Sequence, residues 1–273
     1  MDRSKVKLHN ALTAFVGPAS FCACRPAGSG RTLHAGHSRT EAPTLQFQDF
    51  LLVMPVLLFS VIAHEYAHGY AALKQGDDTA LMLGRLTWNP VKHIDPFMTI
   101  LLPIVLWIAH APILGGAKPV PVTPRKYRNF KRGDIIVSLA GVATNLVIGV
   151  LCVGLIALCG LLGRVMPTLD TSLGILQAMM MLGVQLNLIL VLFNLIPIPP
   201  LDGSHVMKYL MPASWAFRYA QLSRAGLAVL IAVMYLAPRA LEFWLWPAFH
   251  ATNVMISAVD GTILPTTFQW LPR

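Results

Sequence analysis

Residues 64–68 read HEYAH, inside the apolar run FLLVMPVLLFSVIAHEYAHGYAAL from Phe50 to Leu73. On a helix, residues four apart share a face, so His64 and His68 can bind one metal ion together. Glu65 directly follows the first histidine and can accept a proton from a water on that ion. This is the H-E-x-x-H arrangement of zinc hydrolases. The ion would lower the water's pKa toward neutrality and polarise a scissile carbonyl. The glutamate would then hand the proton to the leaving amine. The competing reading has both histidines simply bonded to helix backbone. It fits an exposed helix better than this one, because ionisable groups inside a membrane segment are by default functional.

A catalytic zinc usually has three protein ligands and one open position. The candidates for the third are His93, Asp95, Asp202 and His205. Asp202 ends the longest uncharged run, in NLIPIPPLDGSH. Pro197, Pro199 and Pro200 prevent a regular helix there, and Gly203 permits an unusual backbone angle. Unwound backbone at membrane depth is tolerated where it lines a cavity or is buried in protein. A carboxylate beside such a break can reach a metal held by another helix, which favours Asp202, with His205 as its local competitor.

These residues need elements to position them. The 273 residues are 55% hydrophobic and 12% charged, with a mean hydropathy of +0.61. Soluble domains carry about 25% charged residues, so most of the chain belongs in a bilayer. Helices are the economical way for such runs to satisfy their backbone. The expected fold is therefore an all-α polytopic membrane protein with five to six membrane segments. The apolar runs are 50–73, Asp95 to Lys118, 135–163, 171–201, 225–238 (short unless Phe217–Leu222 extends it) and 243–259. Residues 1–46 are polar and read as a disordered N-terminal extension, 47–210 as the catalytic core, and 211–273 as C-terminal membrane helices and tail.

The net charge of +9 could suggest nucleic acid in a soluble protein. Here the basic residues cluster between apolar runs, at 74–95, 118–132 and 203–224, and mark cytoplasmic loops. No nucleic-acid motif is present. Cys22 and Cys24, near His34 and His37, lack a partner pair at zinc-finger spacing. The loop charges place both ends of the second apolar run on the same side. With Pro96, Pro103 and Pro112, they favour a re-entrant hairpin, although length alone would permit a crossing. KPVPV at 118–122 reads as a short extended edge within the 84–130 region, able to pair with an unwound substrate strand.

HEYAH at 64–68, GRLTWNPVKHIDP at 84–96, KPVPVTPRKYRN at 118–129, SLAGVATNL at 138–146 and FNLIPIPPLDG at 193–203 occur in one order and spacing. Together they resemble the site-2 protease family of intramembrane zinc metalloproteases, in its compact bacterial branch without a PDZ domain. The resemblance covers roughly 47–210. It implies one zinc ion on His64, His68 and Asp202, with Glu65 as general base. It implies that Asn194 polarises the substrate carbonyl or binds its backbone, against the plainer reading of a helix-packing hydrogen bond. It further implies a transmembrane protein as substrate, cleaved in a bacterial plasma membrane with the active site nearer the cytoplasm.

The third core helix departs from the family's usual A-G-P start, with Val142 in place of the proline. Gly141 and Gly149 should still allow close helix packing, and Asn145 reads as a helix–helix hydrogen bonder. His93 and Asp95 read as a structured turn, or as support for the metal ligands. Outside hydrolysis, intramembrane His and Asp also suit a metal transporter or channel. A non-catalytic membrane scaffold is the third reading.

Overall fold

A computed structural model describes residues 47–101, 104–105 and 116–271. The N-terminal extension, with Cys22 and Cys24, lies outside them. The described chain is all-helical, and it contains no strand. Helix α1 (Phe47–Gln75) carries HEYAH in its C-terminal half. Helices α2 (Phe130–Val165) and α3 (Asp170–Asn194) follow, joined through a 3-10 turn at Pro167–Leu169. Four shorter elements complete the chain: α4 (Asp202–Met207), α5 (Ala213–Leu222), α6 (Gly226–Leu236) and α7 (Pro238–Ser257).

Among the described residues, three segments are long and apolar enough to cross a membrane: Leu51–Gln75, Phe130–Val165 and Pro167–Asn194. Helices α5 and α6 meet at 82° and make a fourth only if the bent pair is one span. Phe217–Leu222 therefore does not prolong the fifth apolar run in a straight line. The protein is a multi-pass membrane protein.

Helix α2 shows how the bundle is sorted. Val137, Gly141, Asn145, Ile148, Cys152, Ile156 and Cys159 recur at helical spacing and are buried. Leu146, Val150, Leu151, Leu155, Leu158 and Leu162 are exposed, an apolar surface of the kind that marks a membrane-facing side. The centre of the core is Ile156, Ala178, Met181, Val184 and Ile256, all fully buried. One expectation fails here. Asn145 is fully buried, yet its carboxamide has no hydrogen-bond partner among the described residues. The polar tie between helices is made instead by Asn187, whose Nδ2 donates to Ser60 Oγ of α1 at 2.9 Å and to Gly183 O at 2.8 Å.

Helix α7 runs antiparallel to α3. The Trp244 indole donates to Leu192 O near the end of α3. The chain beyond α7 meets Gln177 near its start. Gln177 is fully buried and donates from Nε2 to Ile156 O (2.8 Å) and Thr262 O (3.0 Å). Its Oε1 accepts from Leu264 N–H (3.0 Å) and the Thr267 hydroxyl (2.7 Å).

Residues 76–101 and 116–128 fold back onto α1. The buried Asp77 carboxylate accepts from Thr79 N–H at 3.0 Å, from the Thr79 hydroxyl, and from Thr123 N–H at 2.5 Å. Arg128 N–H donates to Gln75 O at 2.8 Å. The Lys126–Asp78 pair at 2.7 Å is exposed and contributes little. Lys118 N–H donates to His93 O at 2.8 Å, and the Thr99 hydroxyl donates to Gly116 O at 2.6 Å. The two ends of the second apolar run thus lie side by side, whereas a crossing would part them by about 30 Å of hydrocarbon. The expected extended edge joins no ladder. The main-chain N–H groups of Lys118, Val120 and Thr123 point at His93, Glu65 and Asp77, and Pro119 and Pro121 have none to offer.

His93 is fully buried, with Nε2 donating to Thr87 O at 2.8 Å. Asp95 Oδ1 accepts from Phe97 N–H at 2.9 Å. Both belong to a structured turn and stand outside the ligand group formed by His64, His68 and Asp202.

Replacing Asp77 with Ala strands the Thr123 and Thr79 donors. A loss of roughly 1–3 kcal/mol of local stability follows, which corresponds to about a 5- to 150-fold rise in opening of the 116–128 segment. Trypsin cleavage at Arg125–Arg128 in detergent, faster in the variant by that factor while the helices persist, is the expected readout.

Candidate metal centre

The site is assembled from two ends of the core. Helix α1 brings His64, buried, and His68, half-buried, one turn apart. Their rings meet edge to face, with centroids 4.5 Å apart and planes at 86°. Helix α3 ends at Asn194. Residues 195–201 then form tight turns through Pro197, Pro199 and Pro200, and Asp202 opens α4.

The break brings the Asp202 carboxylate back to α1. Its Oδ2 lies 3.2 Å from His64 Nε2 and 3.4 Å from His68 Nε2. The two imidazole nitrogens are 2.9 Å apart. His205 is drawn elsewhere: its Nδ1 lies 3.2 Å from Asp134 Oδ1 on α2. Asp134 also takes Lys208 Nζ at 2.5 Å and the Tyr209 hydroxyl at 2.9 Å. This cluster clamps α4 to the start of α2.

Gly203 has a different reason from the expected one. Its backbone is helical, and the positive-φ glycines among the described residues are Gly76 and Gly84. A Cβ at 203 would collide with the Leu195 carbonyl. Glycine is needed so that α4 can close over the end of α3.

His68 Nδ1 donates to the Val137 carbonyl at 2.7 Å. With its proton held there, Nε2 presents a lone pair toward Asp202. Asp202 Oδ2 is itself buried and has no hydrogen-bond donor. A lone pair and a carboxylate oxygen aimed at one point repel unless a cation lies between them. Bonds of 2.0–2.1 Å to a tetrahedral zinc set neighbouring ligand atoms about 3.3 Å apart. The observed separations bracket that value, so the donor set fits one small divalent ion. Gly141 on α2 faces the ligands directly: a Cβ there would stand 2.6 Å from both His64 Nε2 and His68 Nε2. The expectation for Gly141 was helix packing. What it packs against is the ligand pair.

Glu65 is half-buried and meets the 116–123 segment. Its Oε2 accepts from Val120 N–H at 2.8 Å. Trp88 stacks on Tyr66 at 4.7 Å, fixing the 84–96 loop against the same helix. Asn194 donates one amide N–H to Leu190 O at 3.0 Å, a bond within its own helix and not one between packed helices. A carboxamide has a second N–H and an acceptor oxygen besides. The Val120 amide, the Val137 carbonyl and the Asp134 clamp escape a reading of side chains in sequence. Only the isolation of Val120 between two prolines hints at the first.

A carboxylate and two imidazoles converging among apolar helices form a group that could hold a metal ion, the arrangement of a metalloprotein. Comparison with known proteins gives the family. Residues 165–237 match the model of peptidase family M50, a stretch that includes Asn194 and Asp202. The chain is 37% identical over 206 residues to the Bacillus subtilis protein named "Putative zinc metalloprotease YwhC", covering 74% of this chain and 89% of that protein. It is 32% identical over 197 residues to "Putative zinc metalloprotease Rip2" of Mycolicibacterium smegmatis, covering 71% of this chain and 70% of that one. No solved structure matches. The chain belongs to peptidase family M50, the site-2 proteases, and is a metalloendopeptidase.

Adding a methyl group at Gly141 should crowd both imidazoles. In Gly141→Ala, metal affinity should fall about 10–100-fold, as for losses of ligand-orienting contacts. Metal analysis of purified protein, alongside an unchanged helical circular dichroism spectrum, checks it.

Proposed function

We propose that the chain is a zinc-dependent intramembrane endopeptidase that cuts transmembrane or membrane-adjacent segments of other membrane proteins. The observation that carries this reading is the convergence of His64, His68 and Asp202 to within 3.4 Å, with Glu65 beside the first ligand on a membrane-spanning helix. His64, His68 and Asp202 would hold one zinc ion. When bound, that ion supplies Lewis acidity, which activates water and polarises the scissile carbonyl.

The chain's own residues do the rest. Glu65 takes the proton released as water attacks and delivers it to the amine nitrogen that leaves. Its bond from Val120 N–H occupies one carboxylate oxygen and leaves the other for this transfer. Asn194 contributes its second amide N–H to the substrate carbonyl as negative charge builds there. The Val137 carbonyl keeps the His68 ring oriented.

The residue division follows the chemistry: 47–210 forms the catalytic core, and 211–273 supplies the C-terminal helices. Five to six membrane segments, with 96–117 as a re-entrant hairpin, keep the basic loops in the cytoplasm. What supports the hairpin is the adjacency of His93 and Lys118. His64 lies ten residues before Lys74, roughly 15 Å of helix, so the site sits within the plasma membrane nearer the cytosol.

The test uses the full chain in detergent with a model transmembrane substrate. Glu65→Gln should lower kcat about 10²–10⁴-fold while retaining stoichiometric zinc. Asp202→Ala should lose both zinc and cleavage, and chelation of the wild type should be reversed by zinc. Undiminished cleavage by Glu65→Gln would overturn the mechanism. Metal flux through liposomes that survives Glu65→Gln would replace it with a transport role.

A further inference from the structure

The two histidines of the metal group are not held alike. His68 Nδ1 meets the Val137 carbonyl at 2.7 Å. His64 Nδ1 is buried and has no hydrogen-bond partner among the described residues. A histidine that turns one ring nitrogen to a metal normally donates from the other, which fixes its tautomer and its orientation. His64 Nε2 faces the Asp202 carboxylate, so Nδ1 is left with a proton to place. In an apolar bundle that proton is costly unless something accepts it.

Unused acceptors lie on the two neighbouring helices. Asn145 of α2 is fully buried, and its amide nitrogen and carbonyl oxygen both lack a partner among the described residues. Asn187 of α3 is fully buried, and its Oδ1 is in the same condition.

Helix register puts these groups at one level. One turn before Asn145, a Cβ on Gly141 would stand 2.5 Å from His64 Cε1, the carbon between the two ring nitrogens. One turn after Asn145, a Cβ on Gly149 would stand 3.7 Å from Asn187 Cβ. Asn145 therefore sits on α2 between the residue that faces His64 and the residue that faces Asn187. Helix α1 gives the same level. Further along α2, Cys152 shares its neighbour Gly183 with Val56, so α1 and α2 are antiparallel and Asn145 falls between Val56 and His64. Ser60 lies there, fully buried, and accepts from Asn187 Nδ2 at 2.9 Å. Side chains lean toward the N-terminus of their helix, which carries the His64 ring toward this layer.

A donor on His64 and acceptors on Asn145 and Asn187 thus share one dry layer behind the metal ligands without bonding one another. All are neutral, so no ion is called for. Water suits them, because it accepts and donates at once, and a buried water typically makes about three hydrogen bonds to otherwise unsatisfied groups. Packing is loose enough beside Gly149, where an added Cβ would meet nothing nearer than 3.7 Å.

We propose that an internal water bridges His64 Nδ1 to the carboxamides of Asn145 and Asn187, which makes Asn145 a positioning residue for the first metal ligand. The water accepts from His64 Nδ1–H and donates to Asn145 Oδ1 and Asn187 Oδ1. The inference rests on the reading of His64 as a zinc ligand. It gives His64 the counterpart of what the Val137 carbonyl does for His68.

The experiment uses the full chain in detergent, loaded with zinc and labelled with nitrogen-15 in its histidine rings. In wild type, the Nδ1–H protons of His64 and His68 should both exchange slowly, and the His64 proton should show a cross-peak to a bound water. Asn145→Leu keeps the bulk and removes the acceptor. Its zinc affinity, measured by competition with a chromophoric chelator, should fall about 10–100-fold. The His64 signal should be lost while the His68 signal stays in place. Asn145→Asp keeps an acceptor oxygen and should bind zinc with an affinity near that of wild type.

A wild-type His64 Nδ1–H without a water cross-peak would overturn the bridge, and that measurement needs no variant to fold. Zinc binding in Asn145→Leu as tight as in wild type would overturn the positioning role. So would equal losses in the Leu and Asp variants with both histidine signals displaced, the mark of a packing residue. A wild type that binds no zinc would instead remove the proposed function, on which this inference stands.

Discussion

Three electron-rich atoms brought within 3.4 Å of one another in an apolar bundle are the constraint on which the structure depends. In a low-dielectric interior, such a cluster is expensive without a cation to bind it. Everything around it serves to hold the three donors in place. Helix α3 stops at Asn194 so that the chain can double back. Gly203 lets α4 lie against the Leu195 carbonyl, and Asp134 clamps the far end of α4 through Lys208 and Tyr209. Gly141 keeps α2 free of any side chain where the two imidazoles stand.

Glu65 has a separate support. It is held from the side by a main-chain amide of the 116–123 segment, which is itself tied to the end of α1 through the buried Asp77. The His64–His68–Asp202 group is packed by α2 and α4. The two supports touch, because Val122 and Tyr127 pack with Val137, whose carbonyl holds His68.

Much of this was legible in the residues. HEYAH declares itself because its side chains do the work and because the surrounding run is apolar. Asp202 could be reached through the proline-dense break and the family resemblance. The loop charges were sufficient to bring the ends of 96–117 together. The misses share a cause. Val120 and Val137 act through main-chain groups that every residue but proline possesses, so their own identity carries almost no signal. Gly203 was noticed for its conformational freedom, but close approach is what requires it. Asn145 and Asn187 look equivalent in sequence, and only the packing of α1 against α3 decides that Asn187 is the one to reach Ser60. The bend between α5 and α6 falls at Ser223–Ala225, where Arg224 marks the start of the fifth apolar run but nothing in the sequence sets the 82° angle.

Gln177 gives the order of assembly a direction. Its buried Oε1 depends on donors from Leu264 and Thr267, 87 and 90 residues further along the chain. During synthesis, α3 enters the membrane well before those donors exist. Until they arrive, a carboxamide in the middle of the bundle has an acceptor with nothing to accept. The buried polar link of α3 is thus complete only once the chain beyond α7 lies against it.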